Sequence, residues 1–514
     1  MSAAPELDRR VFLARTGRYL ALTLATSGGS FAQSDSSRDP FTLGVASGDP
    51  EPDGVVLWTR LAPDPLQGGG MPPHNVEVEW KVATDQRMAS VVVRGRETAT
   101  PGLAHSVHVE VRGLKPGRWY WYQFKAGSHL SPIGRTRTAP DPRRPLGSFR
   151  FAFASCQNYE AGFYTAYRHM ADEDLDLVVH LGDYIYDSPT RTTAVRKHDG
   201  PKATTLSAYR NRYALYHMDP DLKRVHATFP WVVTWDDHEV ENDYANDASE
   251  NNTPRQAFLE QRAGAYQAYY EHMPVRRASM PKGSSALLYR RIAFSNLVEF
   301  SVLDGRQYRS DQPCGGLVVS DCAAAALSSQ TMLGPEQERW FLDGLAKSTA
   351  KWNIVANQVM MMQLDSKVGP EVGLNMDKWD GYQDARARIL KFIEQRRVSN
   401  PIVITGDIHS NWVGDLKLDW TNTKAPIIAT EFIGTSISSA GDGTEITDRI
   451  RAYLPDNPHV HFYNGQRGYV RCEVTPDRWQ ADYRVVPYVS RPGAEIATLA
   501  SFVVESGQPG AQKG

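Results

Sequence analysis

DLVVHLGDYIYD, residues 176–187, is a short apolar run that stops at Gly182 and then sets Asp183, Tyr186 and Asp187 within five residues. A continuous apolar run bounded by a turn residue reads as a strand covered on both faces, as in an α/β sheet, rather than as a solvated edge. Comparable runs recur at FRFAFAS (149–155), WVVTW (231–235), NLVEFSVL (296–303), WNIVANQ (352–358), PIVITG (401–406) and APIIATEF (425–432). Helix-compatible segments separate several of them: AGFYTAYRHMADED (161–174), PRQAFLEQRAGAYQAYYEHM (254–273), GPEQERWFLDGLAKS (334–348) and YQDARARILKFIEQRR (382–397). Residues 149–504 therefore read as an α/β or α+β domain with buried, β-branched strands.

Upstream the pattern changes. Between Phe41 and Thr138 the segments VEVEWKVATD (76–85) and HSVHVEVRGL (105–114) alternate apolar and polar residues, and WYWYQFKAG (119–127) is aromatic. With the turn Leu114-Lys115-Pro116-Gly117 among them, this predicts an N-terminal β-sandwich over 41–138, of the immunoglobulin or fibronectin type III class. The proline- and charge-rich segment 139–148 reads as a linker. ESGQPGAQKG, residues 505–514, reads as a flexible tail.

The 514 residues suffice for a large core and a second domain, and a formal net charge of −2 gives no footprint for a stable nucleic-acid complex or a membrane surface. Four cysteines are no disulfide scaffold, but Cys314 and Cys322 flank a Gly- and Ala-rich loop and leave room for one bridge. At the N-terminus, Arg9-Arg10-Val11-Phe12-Leu13 precedes the mildly apolar YLALTLATSGG (19–29) and then Ser30-Phe31-Ala32. Residues 1–32 resemble a twin-arginine export signal, which implies the twin-arginine machinery as a partner and a periplasmic or extracellular destination.

Polar residues gather just past the apolar runs: Cys156, then Asp183 and Tyr186, then Asp236, Asp237, His238 and Glu239, then Asp304 and Arg306, then Asn357, then Asp407 and His409. Strands of one sheet share a rim at their carboxyl ends, so residues far apart in the chain can build one site there. Carboxylates suit hard, highly charged cations, whereas thiolate and phenolate together suit trivalent iron, and calcium selects oxygens. Cations also explain how so many carboxylates coexist, since their repulsion would otherwise raise their pKa values and weaken the fold.

SCQ (155–157), GDYIYD (182–187), WDDHEVENDY (235–244), LDGRQYR (303–309), ANQVMM (356–361) and GDIHSNW (406–412) together resemble the alkaline phosphatase D family of calcineurin-like metallophosphoesterases. TLGVASGDPEPDGVVLWTRLAPDP (42–65) is similar to the opening of that family. The resemblance implies a metallophosphoesterase core of two mixed β-sheets flanked by helices, beside the N-terminal sandwich. It also implies a site like that of purple acid phosphatases, holding Fe(3+) and Ca(2+). Carried onto this sequence, Cys156, Asp183, Tyr186 and His409 would hold iron. Asp183 would bridge toward calcium, with Asp237 and Asp407 among the calcium ligands. Asp237 stands where the wider superfamily carries Asn.

The implied activity is a secreted, monomeric hydrolase of phosphate monoesters and diesters that releases inorganic phosphate by attack of a metal-bound hydroxide on phosphorus. Small phosphate esters are the expected substrates, with nucleotides or phospholipids among them, and a phospholipase D-like preference for head-group esters is the alternative. His238 is expected to contact the phosphoryl group or protonate the leaving group. Arg306 is expected to clamp phosphate bidentately, or else to pair with Asp304 or Asp311. Asn357 is a further candidate at the reacting group, while Asp236 and Glu239 are expected to support the ligands. A non-catalytic surface protein using the sandwich would tolerate loss of Cys156, Tyr186 or His409, and none is missing.

Overall fold

The computed structural model describes residues 38–514 with the exception of Gly316, so the expected export signal lies outside the described residues. Among the described residues a ten-stranded and a seven-stranded sheet form the core. In the first, strands Phe149–Ala154, Leu177–His180 and Pro230–Val233 run parallel, with Leu177 opposite Phe151 and Val178 opposite Trp231. In the second, Val298–Val302, Trp352–Ala356, Pro401–Thr405 and Ala429–Ile433 run parallel. Hydrogen-bonded register aligns their carboxyl ends, and a bridge between Ser155 and Ser436 joins the rims of the two sheets.

The two sheets face each other across one apolar layer in which Phe151, Phe153 and Val179 meet Phe300, Ile354 and Phe432. Helices cover the outer faces. Leu206–His217, Pro220–Thr228 and Arg255–His272 lie over the first sheet, and Gly334–Lys347 and Gln383–Arg396 over the second. The strands of both parallel sets are buried at nearly every position, which is why each reads as a largely continuous apolar run.

The N-terminal part is a two-layer β structure, one layer of which belongs to the core. Val45–Glu51 pairs in parallel with Pro230–Val233, Gly48 lying opposite Trp231, and Gly54–Arg60 and Ser106–Val111 continue the ten-stranded sheet. Otherwise Pro230–Val233 would be a bare edge, and these strands satisfy its backbone groups. A five-stranded sheet containing Val76–Ala83 and Trp119–Ala126 packs on them through the apolar side chains of the sandwich core, among them Leu57, Val82, Tyr122 and Phe124.

At the other end, the segment expected as a free tail is paired. Ala497–Glu505 runs into it, and Gln512–Lys513 folds back so that Val503 lies opposite Gln512. Gly507 and Gly510, at φ 81° and 110°, supply the turn, and the Gly510 N–H donates to Thr430 Oγ1 at 3.1 Å. The glycines that made the tail read as flexible are the ones that let it reverse. Cys314 and Cys322 form a disulfide, with Cα atoms 6.1 Å apart.

Candidate metal centre

The site sits on the joined rim, and its backbone is unusual. Cys156, Asp183, Asp243, Asp407 and His409 all take positive φ, between 50° and 63°. Non-glycine residues rarely adopt this left-handed region, at a cost of order 1 kcal/mol or more each, and persist there only when their surroundings hold them. Here they are held. The Cys156 N–H donates to the Gly182 carbonyl at 3.1 Å and the Gln157 N–H to the Asp183 carbonyl at 3.0 Å, while Ser439 Oγ donates to the Cys156 carbonyl at 2.7 Å. Glu239 accepts from the N–H groups of Asp183 at 3.1 Å, Tyr184 at 2.5 Å and Asp236 at 2.9 Å, stitching two post-strand loops together. Gly182 sits between them at φ 111°, and a Cβ there would lie 2.4 Å from Asp236 Cβ.

These loops bring the predicted ligands together. Donor atoms of Cys156, Asp183 and His409 lie within 4.8 Å of one another, and so do those of Asp183, Asp237 and His238. Tyr186 Oη completes the first group, 2.7 Å from Asp183 Oδ2 and 3.0 Å from His409 Nε2, with Ser439 Oγ 2.7 Å away. Asp183 is thus common to two adjacent donor groups, one with a thiol and a phenol and one rich in oxygen. Asp407 belongs to neither of these groups but shares a cation with the second: Arg306 Nη2 is 3.9 Å from Asp407 Oδ1 and 3.7 Å from Asp237 Oδ2.

Burial gives this set its electrostatics. It pushes the Cys156 thiol, the Asp183 carboxyl and the Tyr186 phenol well above their ordinary ranges, and the neighbouring carboxylates add to the shift. Burial and the carboxylates of Asp377 and Asp237 likewise push Asp243 up to about 8. Burial opposes a charge on Asp237, but Arg306 and His238 outweigh it and hold that carboxyl below its usual range. For His238 the carboxylates of Asp237, Asp183 and Asp187 overcome burial and raise the imidazole well above its ordinary value. Thiol, phenol and clustered carboxyls that resist ionising in isolation are the donors a multivalent cation would ionise and hold, so the residues present fit a metal centre.

His238 is oriented by Asp187, whose Oδ1 lies 2.9 Å from Nδ1, and its ring packs at a tilt of 31° against that of Tyr186, with ring centres 4.1 Å apart. Two expected substrate contacts are placed otherwise. Arg306 is wholly shielded from solvent, beneath the carboxylates, where it pairs with Asp236 and, at 3.0 Å, with Asp377. Its guanidinium thus faces the carboxylates of the cluster and not Asp304 or Asp311, while its backbone N–H donates to Asp304 Oδ1 at 3.1 Å. Asn357 is also buried. Its amide donates to the Val359 carbonyl and its oxygen accepts from Trp379 Nε1 at 3.2 Å, so it shapes the turn after its strand.

Several residues of the site carried no sequence signal. Lys378 Nζ lies 3.1 Å from Asp407 Oδ2, and Asp377 anchors both Arg306 and Arg309. Both come from a polar loop that follows no apolar run. Ser439, bonded to Tyr186, sits in the small-residue stretch TSISSAGDG (435–443). His459 and His461 stay away from the centre, bonded to the Gln363 carbonyl at 2.7 Å and to Asp415 at 2.8 Å.

Comparison with known proteins agrees across the whole length. Residues 151–483 match a family model described as PhoD-like phosphatase, and residues 25–140 match one described as PhoD-like phosphatase, N-terminal domain. Alkaline phosphatase D of Bacillus subtilis (strain 168) is 49% identical over 518 residues, covering 98% of this chain and 89% of that protein. A solved structure described as "Structure of PhoD" is 50% identical and superposes with a TM-score of 0.91 over 93% of both chains.

Proposed function

Because the chain belongs to the PhoD-like phosphatase family, a branch of the calcineurin-like metallophosphoesterases, we propose that it hydrolyses phosphate monoesters and diesters with an iron and calcium centre. That it is a metal-dependent phosphoesterase acting on small phosphate esters follows from the family and the donor groups. The finer reading rests on one observation: Asp183 is shared between a group containing thiol and phenol and a group made chiefly of carboxylates. The first set suits Fe(3+), through Cys156, Asp183, Tyr186 and His409, and the second suits Ca(2+), through Asp183, Asp237 and Asp407. Bound cations supply an activated water and absorb the charge that develops on the phosphoryl oxygens.

In this reading the protein's own groups orient the reaction. Asp187 holds Nδ1 of His238 and leaves Nε2 to donate to the leaving oxygen, and Ser439 fixes the Tyr186 phenol. Arg306 balances the carboxylates from beneath. Export by the twin-arginine route to the periplasm or beyond is part of the proposal. The Cys314–Cys322 disulfide supports it, since such bonds persist in oxidising compartments.

The test is metal content by mass spectrometry together with the visible spectrum of protein purified without chelators. About one iron per chain with calcium, and a phenolate-to-iron band that Tyr186→Phe abolishes, is the expected result. Active protein holding only zinc or manganese, without the band, would refute the iron assignment.

A further inference from the structure

A cavity of about 670 Å³ opens beside the metal centre, with His409 and Lys378 among its lining residues. His409 belongs to the donor group that contains Cys156, and the Lys378 ammonium touches Asp407, so the cavity begins where the centre ends. Its apolar wall is built from Ile408 and Trp412, from Ile450 and Tyr453 of the helix Asp448–Tyr453, and from Tyr463. Trp412 and Tyr463 meet edge to face with ring centres 4.6 Å apart, which fixes the wall in place.

Most of the polar groups along it are already engaged with the chain, the exposed Thr444 and Arg449 at its solvent side excepted. Ser410 Oγ accepts from Trp412 Nε1 at 2.8 Å and donates to the Ile408 carbonyl at 3.2 Å. Asp380 is paired with Arg386 at 2.7 Å, and the Arg467 guanidinium donates to the carbonyls of His409 and Gly441. A hydroxyl-rich group entering here would give up water for walls with few unengaged partners, whereas a hydrocarbon or aromatic group would lose nothing. The volume is that of a small-molecule site.

We propose that this cavity is the subsite for the organic part of the ester and that it selects apolar, aryl-sized groups, with Lys378 facing a phosphoryl oxygen at its inner end. The inference rests on the phosphoesterase reading above and adds to it the side of the centre on which the ester's substituent lies. Ile450 is then a specificity residue that touches the substituent and takes no part in the chemistry.

Two phosphonates that resist hydrolysis test it on the full-length, metal-loaded protein by titration calorimetry. Benzylphosphonate is expected to bind about tenfold more tightly than methylphosphonate. Ile450→Glu is expected to remove most of that gap without changing the affinity for methylphosphonate, and the milder Ile450→Ala to narrow it by about threefold. Equal affinities in the unaltered protein overturn the proposal whatever the variants do. A gap that survives both substitutions puts the aryl group elsewhere and overturns it too. Turnover of methyl phosphate and phenyl phosphate is a separate readout: hydrolysis of neither beside an intact phosphonate gap would refute the phosphoesterase reading and leave only the cavity's preference for an aryl group standing.

Discussion

The guanidinium of Arg306 lies under the carboxylate cluster, shielded from solvent, with Asp236, Asp237, Asp377 and Asp407 arrayed around it. A buried charge left without its partner is costly, and here one cation faces several anions. Arg306→Met is therefore expected to lower stability by about 3–5 kcal/mol in urea unfolding of chelated protein. A phosphate clamp would behave differently, raising KM and leaving the unfolding midpoint where it was. Arg306 also marks how far the centre can be read from sequence. Residues that follow an apolar run, such as Cys156, Asp183 and Asp407, are placed on the rim by the strand before them, so their convergence is legible. Whether an arginine lies above or below those carboxylates depends on the depth of its loop, which no local pattern encodes. Asp377 and Lys378 follow only the two-residue strand Leu374–Asn375, and Ser439 lies six residues beyond Ala429–Ile433 in a stretch of small residues, so tertiary packing and not a local apolar pattern brings them to the site.

Between residue and molecule, the elements differ in how openly they are written. The strands are continuous apolar runs because both faces are covered, and helices Arg255–His272, Gly334–Lys347 and Gln383–Arg396 lie within the expected segments. Leu206–His217 escapes the same reading because Tyr209, Arg212, Tyr213, Tyr216 and His217 are all buried, so no apolar stripe at helical period separates one face from the other. Its neighbour Pro220–Thr228 does announce its start, with Asp219 accepting from the N–H groups of Asp221 and Leu222 ahead of a first-turn proline. The short ribbon closed by Cys314–Cys322 has a consequence for the centre. Val318 pairs with Asn375, and the Met376 N–H donates to the Leu317 carbonyl at 2.8 Å, immediately before Asp377 and Lys378. Replacing both cysteines by serine is expected to cost up to about 3 kcal/mol, the loop-closure entropy of so short a ring. Because the ribbon leads into Lys378, the same change should raise KM for phosphate esters while the metal content stays constant. Guanidinium unfolding and steady-state kinetics, each with and without reductant, check both halves. An unchanged KM would separate the ribbon from the site.

At the scale of the whole molecule, the layer between the first sheet and its helices contains histidines that the chemistry does not use. His180, His217, His226 and His272 are at most 1% exposed. His226 stacks 3.9 Å from Trp231, its Nε2 lies 2.8 Å from Tyr184 Oη, and His272 Nε2 faces the Arg60 guanidinium at 2.7 Å. Burial holds His180 and His217 down to about 3 and keeps His226 and His272 well below the ordinary value of 6.5, with the Arg60 guanidinium adding to the effect on His217 and His272. Folded, these rings stay neutral, and unfolded, they take up protons near pH 6.5. The unfolded chain therefore binds more protons between pH 6.5 and about 3, and stability rises with pH across that window. Their contribution is complete above pH 6.5 and is lost as the pH falls toward the folded values. Each such histidine costs up to about 1.4 kcal/mol per pH unit, so four together can remove most of a typical domain's stability within about two units. Urea midpoints followed by tryptophan fluorescence are expected to be level at pH 7.5 and above and to fall steeply from pH 6.5 downward. Running the series on chelated protein separates this slope from acid release of metal. His226→Phe keeps the stack on Trp231 and removes one proton-binding ring, so it should flatten the acid slope by about a quarter of the four-histidine total. A slope that vanishes on chelation would move the acid sensitivity from the core to the centre; one that persists means the packing beneath the catalytic sheet, and not the metals, confines this enzyme to neutral and alkaline media.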